Sequence, residues 1–169
     1  MLKVGQSAPE FELDSTEGRI ALKDLHGRWI VLFFYPMDFT FVCPTEVTGF
    51  SKEIERFREA NAVVLGCSID SVPVHKAWSK ELGGLMFPLL SDINKEVGRI
   101  YNVLVEDKGV HLRGVFIIDP DGILQYQAVH SLNVGRSVQE VYRVLKALQT
   151  GGLCPIDWKP GEKTIEVTQ

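Results

Sequence analysis

The sequence predicts an α/β fold in which a mixed central β-sheet is flanked by helices. The continuous apolar run 29–35 predicts a strand and is followed by an amphipathic helical pattern, and a second predicted buried strand at 63–69 is followed by a predicted helix. Further along, residues 115–119 and 124–128 enclose an Asp-Pro-Asp-Gly turn sequence, which predicts an antiparallel hairpin. Strands that alternate with helices favour parallel pairing, so the hairpin should make the sheet mixed.

The predicted elements follow one another without a visible repeat or interdomain linker. Residues 1–169 are therefore expected to form a single domain. Glycine pairs should end two of the helices. In chain order we expect strands at 11–13 and 18–22, a short turn at 24–27, a strand at 29–35, a helix from 43 to about 60, a strand at 63–69, a helix at 72–82, an extended piece at 88–90, a helix at 95–101, the hairpin at 115–128 and a helix at 138–150.

Composition narrows the class of function. A chain of 169 residues with 45% hydrophobic and 24% charged residues is typical of one globular domain. Its net charge of −4 argues against a broad electrostatic surface for nucleic acid or anionic membrane. Apolar runs stay shorter than the ~18 residues of a transmembrane helix, and the N-terminus lacks the apolar stretch of a signal peptide. These observations predict a cytoplasmic protein.

The cysteines and histidines argue against a structural metal or a disulfide scaffold. Three cysteines, Cys43, Cys67 and Cys154, are too few and too scattered for a scaffold. The absence of a C-x-x-C sequence disfavours both a zinc knuckle and a thioredoxin-type redox pair. The four histidines share no metal-ligand spacing. Cys67 lies in the middle of a predicted strand and is interpreted as a core residue. We therefore predict neither a metal nor a cofactor.

Cys43 stands out because it lies near the first turn of the predicted helix that follows residues 29–35. There the unpaired backbone N–H groups and the positive end of the helix dipole favour a thiolate over a thiol. An isolated cysteine is often only a small buried apolar residue. Here the position before a helix, the neighbouring Pro44 and the hydroxyl of Thr40 favour a nucleophile instead.

The motif Pro36-x-x-x-Thr40-x-x-Cys43 resembles the signature of the peroxiredoxins. The longer run 34–46 is similar to the typical two-cysteine class, which is related to the peroxidase component of bacterial alkyl hydroperoxide reductase. Similar segments extend from about residue 5 to residue 164. They include a strand that begins with arginine at residues 113–120 and a loop with a second arginine at residues 132–136. The tail with the resolving cysteine matches at residues 152–155 and 158–161.

This resemblance implies a thioredoxin-like fold with an N-terminal hairpin and a C-terminal tail at residues 150–169. It implies an antioxidant thiol peroxidase for hydrogen peroxide and organic hydroperoxides. Cys43 would attack the distal peroxide oxygen and become a sulfenic acid, and Cys154 would then form a disulfide with Cys43 of the other subunit. From the residues alone an intrasubunit disulfide remains equally open. Either bond requires Cys43 to leave its helix turn.

The attack moves negative charge onto the leaving oxygen, so the neighbours of Cys43 should stabilise that charge. We expect Thr40 to donate a hydroxyl hydrogen bond to a peroxide oxygen. Arg113 should keep a fixed positive charge near the sulfur and the leaving oxygen, and Pro36 should shape and dry the pocket. Two simpler interpretations stay open: Thr40 as a helix cap and Arg113 as a charge at a strand edge.

Two further residues complete the predicted site. The resemblance implies that Glu46 and Arg136 hold the Arg113 side chain in its orientation. As alternatives, Glu46 also suits the first turn of a helix, where a carboxylate is favourable, and Arg136 also suits the surface.

The resemblance further implies a homodimer, assembled into a decamer of five dimers, that is recycled by a thioredoxin-like protein or a dedicated flavoprotein reductase. Two other functions compete with the peroxidase. A general thiol–disulfide oxidoreductase would reduce protein disulfides faster than peroxide, and the missing C-x-x-C disfavours it. A redox-regulated oligomeric chaperone would still suppress aggregation after a Cys43→Ser substitution.

Overall fold

The computed structural model describes residues 1–168, which form two compact units, Met1–Arg136 and the residues from Ser137 onward. The single-domain prediction stays a prediction. The strands are β1 Glu12–Ser15, β2 Gly18–Ala21, β3 Trp29–Phe34, β4 Ala62–Ser68, β5 Leu89–Ser91, β6 Leu104–Val105, β7 Val110–His111, β8 Arg113–Ile118 and β9 Leu124–His130. The helices are α1 Cys43–Lys52, α2 Ile54–Glu59, α3 Val72–Glu81, α4 Glu96–Ile100 and α5 Val138–Thr150, and a 3₁₀ turn spans Leu22–Leu25.

The first unit is built on the predicted mixed sheet. Within residues 1–168 this sheet has seven strands in the order β2-β1-β5-β4-β3-β8-β9. β3, β4 and β5 pair in parallel, as strand–helix alternation requires, whereas β8 is antiparallel to both β3 and β9. The C-terminal end of β3 therefore lies beside the N-terminal end of β8, and the candidate site is located at these two strand ends.

Side chains from the interior strand β3 reach both faces of the sheet, which explains its uninterrupted apolar sequence. On one face Phe33 stacks on Phe50 of α1, with ring centroids 4.5 Å apart. On the other face Phe34 packs against Tyr101 and Phe116. Alternate side chains of a strand point to opposite faces, so a strand covered on both sides has no polar face. The predicted arrangement of a sheet flanked by helices is confirmed.

Two details differ from the sequence prediction. The helix expected from residue 43 to about 60 is two helices, because Glu53 leaves the helical conformation at φ −97° and ψ 6°. The break turns the chain so that Ile54 and Phe57 are buried, and Phe57 packs on Phe50. The two-residue strands β6 and β7 were not predicted, since they are too short to show a period.

The Asp-Pro-Asp-Gly turn forms as predicted. The Asp119 side chain accepts hydrogen bonds from the N–H groups of Asp121 and Ile123, and Gly122 takes the left-handed conformation at φ 82°. In the second unit, α5 has the predicted bounds and ends at a left-handed Gly151. Within residues 1–168, every helix is too short or too polar to span a bilayer.

Candidate active site

The thiol of Cys43 lies at the first residue of α1, where the sequence predicted it. Cys43 follows the loop that leaves β3 and is fully buried, and Pro44 occupies the first turn of the helix. Backbone N–H groups in the first turn of a helix have no partner within the helix. The position therefore offers hydrogen-bond donors and the positive end of a dipole to a buried sulfur.

Arg113 brings a cation directly to this sulfur. As the first residue of β8, it lies beside the end of β3, so two residues 70 positions apart in sequence meet. Its Nη1 lies 3.3 Å from Cys43 Sγ and 2.6 Å from Glu46 Oε1, while Nε donates to the carbonyl of Leu132 at 2.7 Å. Only 3% of Arg113 is exposed. The guanidinium is held at both ends and has little freedom to turn away.

Glu46 joins the two arginines; the resemblance implied only that Glu46 and Arg136 orient Arg113. Its Oε2 accepts from the backbone N–H and the Nε of Arg136, at 2.8 and 2.6 Å, and its Oε1 accepts from Arg113. Burial alone raises the pKa of the Glu46 carboxyl, but the hydrogen bonds and charges of Arg136 and Arg113 outweigh it, so this pKa lies below its ordinary value. The guanidiniums of Arg113 and Arg136 together with the Glu46 carboxylate carry a net charge of plus one. A thiolate at Cys43 would neutralise this net charge.

Arg136 ties the site to the sheet. Its Nη1 donates to the carbonyls of Phe34 and Gly114, both at 2.6 Å, at the neighbouring ends of β3 and β8. The guanidinium also lies over the Phe33 ring, 5.2 Å from its centre. Burial, followed by the Arg113 charge, lowers the Arg136 pKa against the opposing effect of Glu46. The surface interpretations of Arg113 and Arg136 are wrong, because both side chains are buried.

Pro36 and Thr40 lie on the loop between β3 and α1. Pro36 is buried and Thr40 is partly buried. The Thr40 hydroxyl donates to the carbonyl of Met37 at 3.0 Å, so its hydrogen is engaged and its lone pairs are left to accept from a hydroperoxide O–H. This reverses the hydrogen-bond direction expected from the sequence. The residue before α1 is Val42, without a side-chain cap, so Thr40 does not cap the helix.

Cys154 lies in the second unit, after the end of α5. It is partly buried and has a free thiol, as Cys43 and Cys67 do. Its Sγ lies 3.4 Å from the Thr150 hydroxyl and 3.6 Å from the carbonyl of Ala147. These contacts tie the thiol loosely to the last turn of α5.

Cys67 is fully buried in β4, within the hydrophobic core, as predicted. Burial raises the pKa of its thiol well above the ordinary value, and the charge of Asp92 adds to this effect. The Cys67 thiol therefore stays protonated and unreactive, because the thiolate is the reactive form of cysteine.

Two clusters of buried and half-buried side chains could not be predicted from the sequence, because each joins distant parts of the chain. Cys67, Asp92 and His111 form one, and Asp38, Asp70 and His75 form the other, with ligand-type atoms within 4.8 Å of one another in each. Hydrogen bonds already link each histidine to an aspartate. His111 Nε2 lies 2.9 Å from Asp92, and His75 Nδ1 lies 2.7 Å from Asp38.

Comparison with known proteins agrees with this geometry. Residues 4–127 match the AhpC/TSA family. The chain is 49% identical to a protein named as a peroxiredoxin in the rubredoxin operon of Clostridium pasteurianum, over 96% of this chain and 98% of that one. It is 48% identical to the chloroplastic 2-cysteine peroxiredoxin of Chattonella marina var. antiqua, over 98% and 92% of the two chains.

Solved structures give the same result. The reduced 2-Cys peroxiredoxin of Plasmodium vivax superimposes with a TM-score of 0.91 at 38% identity, over 96% of this chain and 92% of that one. AhpC of Enterococcus faecalis superimposes with a TM-score of 0.86 at 34% identity, over 92% and 100%. The chain thus belongs to the AhpC/TSA family and is a peroxiredoxin, a thiol-dependent peroxidase with a thioredoxin-like fold.

Proposed function

We propose that Cys43 reduces hydrogen peroxide and organic hydroperoxides and that Cys154 of a second subunit resolves the oxidised product. One observation carries the proposal: the Arg113 guanidinium lies 3.3 Å from the buried Cys43 sulfur at a helix start. This arrangement supplies a nucleophile, a fixed cation and a water-poor site in one place.

In the first step the Cys43 thiolate attacks the distal oxygen of the peroxide. The O–O bond breaks, the sulfur becomes a sulfenic acid, and the other oxygen takes a proton and leaves as water or an alcohol. A more acidic thiol gives more thiolate but a weaker nucleophile, and the two effects nearly cancel. The acceleration must then come from stabilising the leaving oxygen, which Arg113 and the N–H groups at the start of α1 are placed to do.

In the second step the Cys154 thiol attacks the Cys43 sulfenic acid, which forms a disulfide and releases water. Cys43 is fully buried, so the loop before α1 must open for the sulfurs to meet. The position of Cys154 after α5, with a thiol that is only partly buried, supports its role as the resolving cysteine.

The disulfide must then be reduced by an external dithiol, and we propose a thioredoxin-like protein or a flavoprotein reductase for this step. Disulfides of this transient, catalytic kind are typical of reducing compartments, which supports a cytoplasmic location. We further propose a homodimer assembled into a ring of five dimers, as the resemblance to the typical two-cysteine class implies.

Non-reducing electrophoresis after one equivalent of hydrogen peroxide tests the resolving step. A disulfide-linked dimer in wild type that is absent from Cys154→Ser is the expected result. A monomer band in the wild type, with both Cys43 and Cys154 lost to alkylation, would place the disulfide within one subunit. If every thiol survives the peroxide, the protein is not a thiol peroxidase.

A further inference from the structure

The 131–136 loop, which follows β9, supports the arginines of the candidate site with its main chain. The carbonyl of Leu132 accepts a hydrogen bond from Arg113 Nε at 2.7 Å. The backbone N–H of Arg136 donates to Glu46 Oε2 at 2.8 Å. A main-chain group fixes a side chain only if the main chain is itself fixed. The orientation of the Arg113 guanidinium therefore depends on what holds this loop in place.

The sequence of the loop offers little packing of its own. Four of its six residues are exposed, namely Ser131, Asn133, Val134 and Gly135. Inside the loop, the backbone N–H of Val134 donates to the carbonyl of Ser131 at 3.2 Å, which closes a turn around Leu132. Exposed, irregular segments are ordinarily among the more mobile parts of a protein. A loop that must hold a catalytic guanidinium therefore needs a further support.

His130 provides this support from the end of β9. It is the last residue of that strand, and the register of β8 and β9 places it opposite Arg113. Its Nδ1 lies 3.2 Å from the carbonyl oxygens of both Val134 and Gly135. A carbonyl can only accept, so Nδ1 carries a hydrogen and shares it between the two oxygens. Nδ1 keeps this hydrogen whether or not Nε2 is protonated, so the bond persists in both charge states of the ring.

The imidazole bond fixes the chain on the far side of Leu132. Before Leu132 the chain is held by the pairing of β9 with β8, which extends to His130. After Leu132 it is held by the bond from His130 to Gly135, whose backbone lies beside the start of α1: a Cβ at this glycine would be 3.7 Å from Glu46 Cγ. The Leu132 carbonyl therefore reaches Arg113 from a segment that is tied at both ends.

We propose that His130 is a positioning residue for peroxide reduction: by closing the 131–136 loop, it fixes the Leu132 carbonyl and so holds the Arg113 guanidinium beside Cys43. His130 acts through the loop and through Arg113, not on the reacting atoms. The inference rests on the proposed attack of Cys43 on peroxide. Without the imidazole bond the loop should move more, and the Arg113 donors should be less well placed when charge develops on the leaving oxygen. The oxidation of Cys43 should then be slower.

Two substitutions separate the hydrogen bond from the rest of the side chain. His130→Leu removes the donor. His130→Asn keeps one, because the amide nitrogen of asparagine and Nδ1 of histidine are both two bonds from Cβ. The chain also offers a matched control in His26, whose side chain is 42% exposed and lies 3.8 Å from Glu10. His26→Leu makes the same chemical change at a partly exposed histidine outside the 131–136 loop.

The first measurement is the stopped-flow rate of Cys43 oxidation with excess hydrogen peroxide. We expect His130→Leu to lower this rate by about three- to tenfold, the size of the net contribution of one hydrogen bond. His130→Asn and His26→Leu should stay near wild type. The second measurement is amide hydrogen exchange in the reduced protein at residues 132–136, which reports the loop without any peroxide. Exchange there, including that of the Arg136 amide, should rise by a similar factor in His130→Leu only.

A double variant shows whether the effect passes through Arg113. Adding His130→Leu to Arg113→Lys should slow the oxidation little further, since residues that act through one another are not additive. Slowing by the full factor of His130→Leu in that background would overturn the proposal. A wild-type rate in His130→Leu, or a rate in His130→Asn as low as in His130→Leu, would do the same. A wild type whose Cys43 does not react with peroxide would overturn the proposed function, while exchange in the reduced protein would still decide whether His130 fixes the loop.

Discussion

At the scale of single residues, the proposed chemistry depends on how rigidly Arg113 is held. Its guanidinium contacts Cys43, Glu46 and the carbonyl of Leu132 through its N–H groups. A planar fork of donors can make all three contacts at once, whereas an ammonium is a single point. Stabilisation of the leaving oxygen requires donors that are already in place when the charge develops.

We therefore expect Arg113→Lys to slow the oxidation of Cys43 by about 10²–10³-fold, the usual cost of losing one preorganised donor to a developing oxyanion. Stopped-flow kinetics with excess peroxide measures this rate directly. The control is Arg99→Lys, because Arg99 is exposed and its ion pair with Glu106 lies at the surface. A wild-type rate in Arg113→Lys would mean that Arg113 only supports the structure.

The second residue-scale prediction concerns Cys67. Burial raises the pKa of its thiol, so it should stay protonated and unlabelled when native protein is treated with iodoacetamide near pH 8. Cys154 should be labelled under the same conditions. Replacing Cys67 by serine should leave peroxide turnover largely intact. Labelling of Cys67 before Cys154, measured by peptide mass spectrometry, would contradict the assignment.

At the scale of elements, the site exists because β3 and β8 are antiparallel neighbours. The sequence predicted a helix beginning near Cys43 and a strand near Arg113 from apolar runs and turn residues, which are local signals. The resemblance implied that Glu46 and Arg136 orient Arg113, but the contacts of Glu46 with both arginines had no local signal, because nothing in the sequence indicates which strand neighbours β3. The Asp38–His75 pair was missed for the same reason: its residues are 37 positions apart and meet only in the folded chain.

Glu46 links these elements, and the link should depend on pH. Its folded-state pKa lies below the unfolded value of about 4.3, so its contribution to stability is present above that pH and is lost as pH falls through the folded-state pKa. We expect Glu46→Gln to lower the free energy of unfolding at neutral pH by about 3–5 kcal/mol, because it breaks a buried ion pair.

Urea unfolding of wild type and Glu46→Gln across the acidic range measures this effect. The difference between them should shrink as the pH falls below the ordinary glutamate pKa and through the lowered pKa of folded Glu46, where the wild-type carboxyl also becomes protonated. Glu106→Gln is the control, because Glu106 pairs with Arg99 at the surface and should leave the unfolding midpoint unchanged. A difference that stays constant at every pH would show that the charge of Glu46 is irrelevant.

At the scale of the whole molecule, the two reactive cysteines belong to different compact units. Cys43 is fully buried in the first unit, and Cys154 is partly buried in the second. We expect the disulfide form to lose hydrogen-exchange protection at residues 41–48 and in the tail from residue 150 to 168, while β3 and β4 stay protected. Equal protection of those two segments in the reduced and oxidised proteins would rule out local unfolding.

The proposed mechanism depends most on which thiol reacts with the peroxide. Peptide mapping by mass spectrometry after one equivalent of hydrogen peroxide, with dimedone present to trap sulfenic acid, answers this directly for wild type and Cys154→Ser. We expect a linked Cys43–Cys154 peptide in wild type and dimedone on Cys43 in the variant. Oxidation of Cys67 or Cys154 while Cys43 remains a free thiol would contradict the proposed mechanism at its first step.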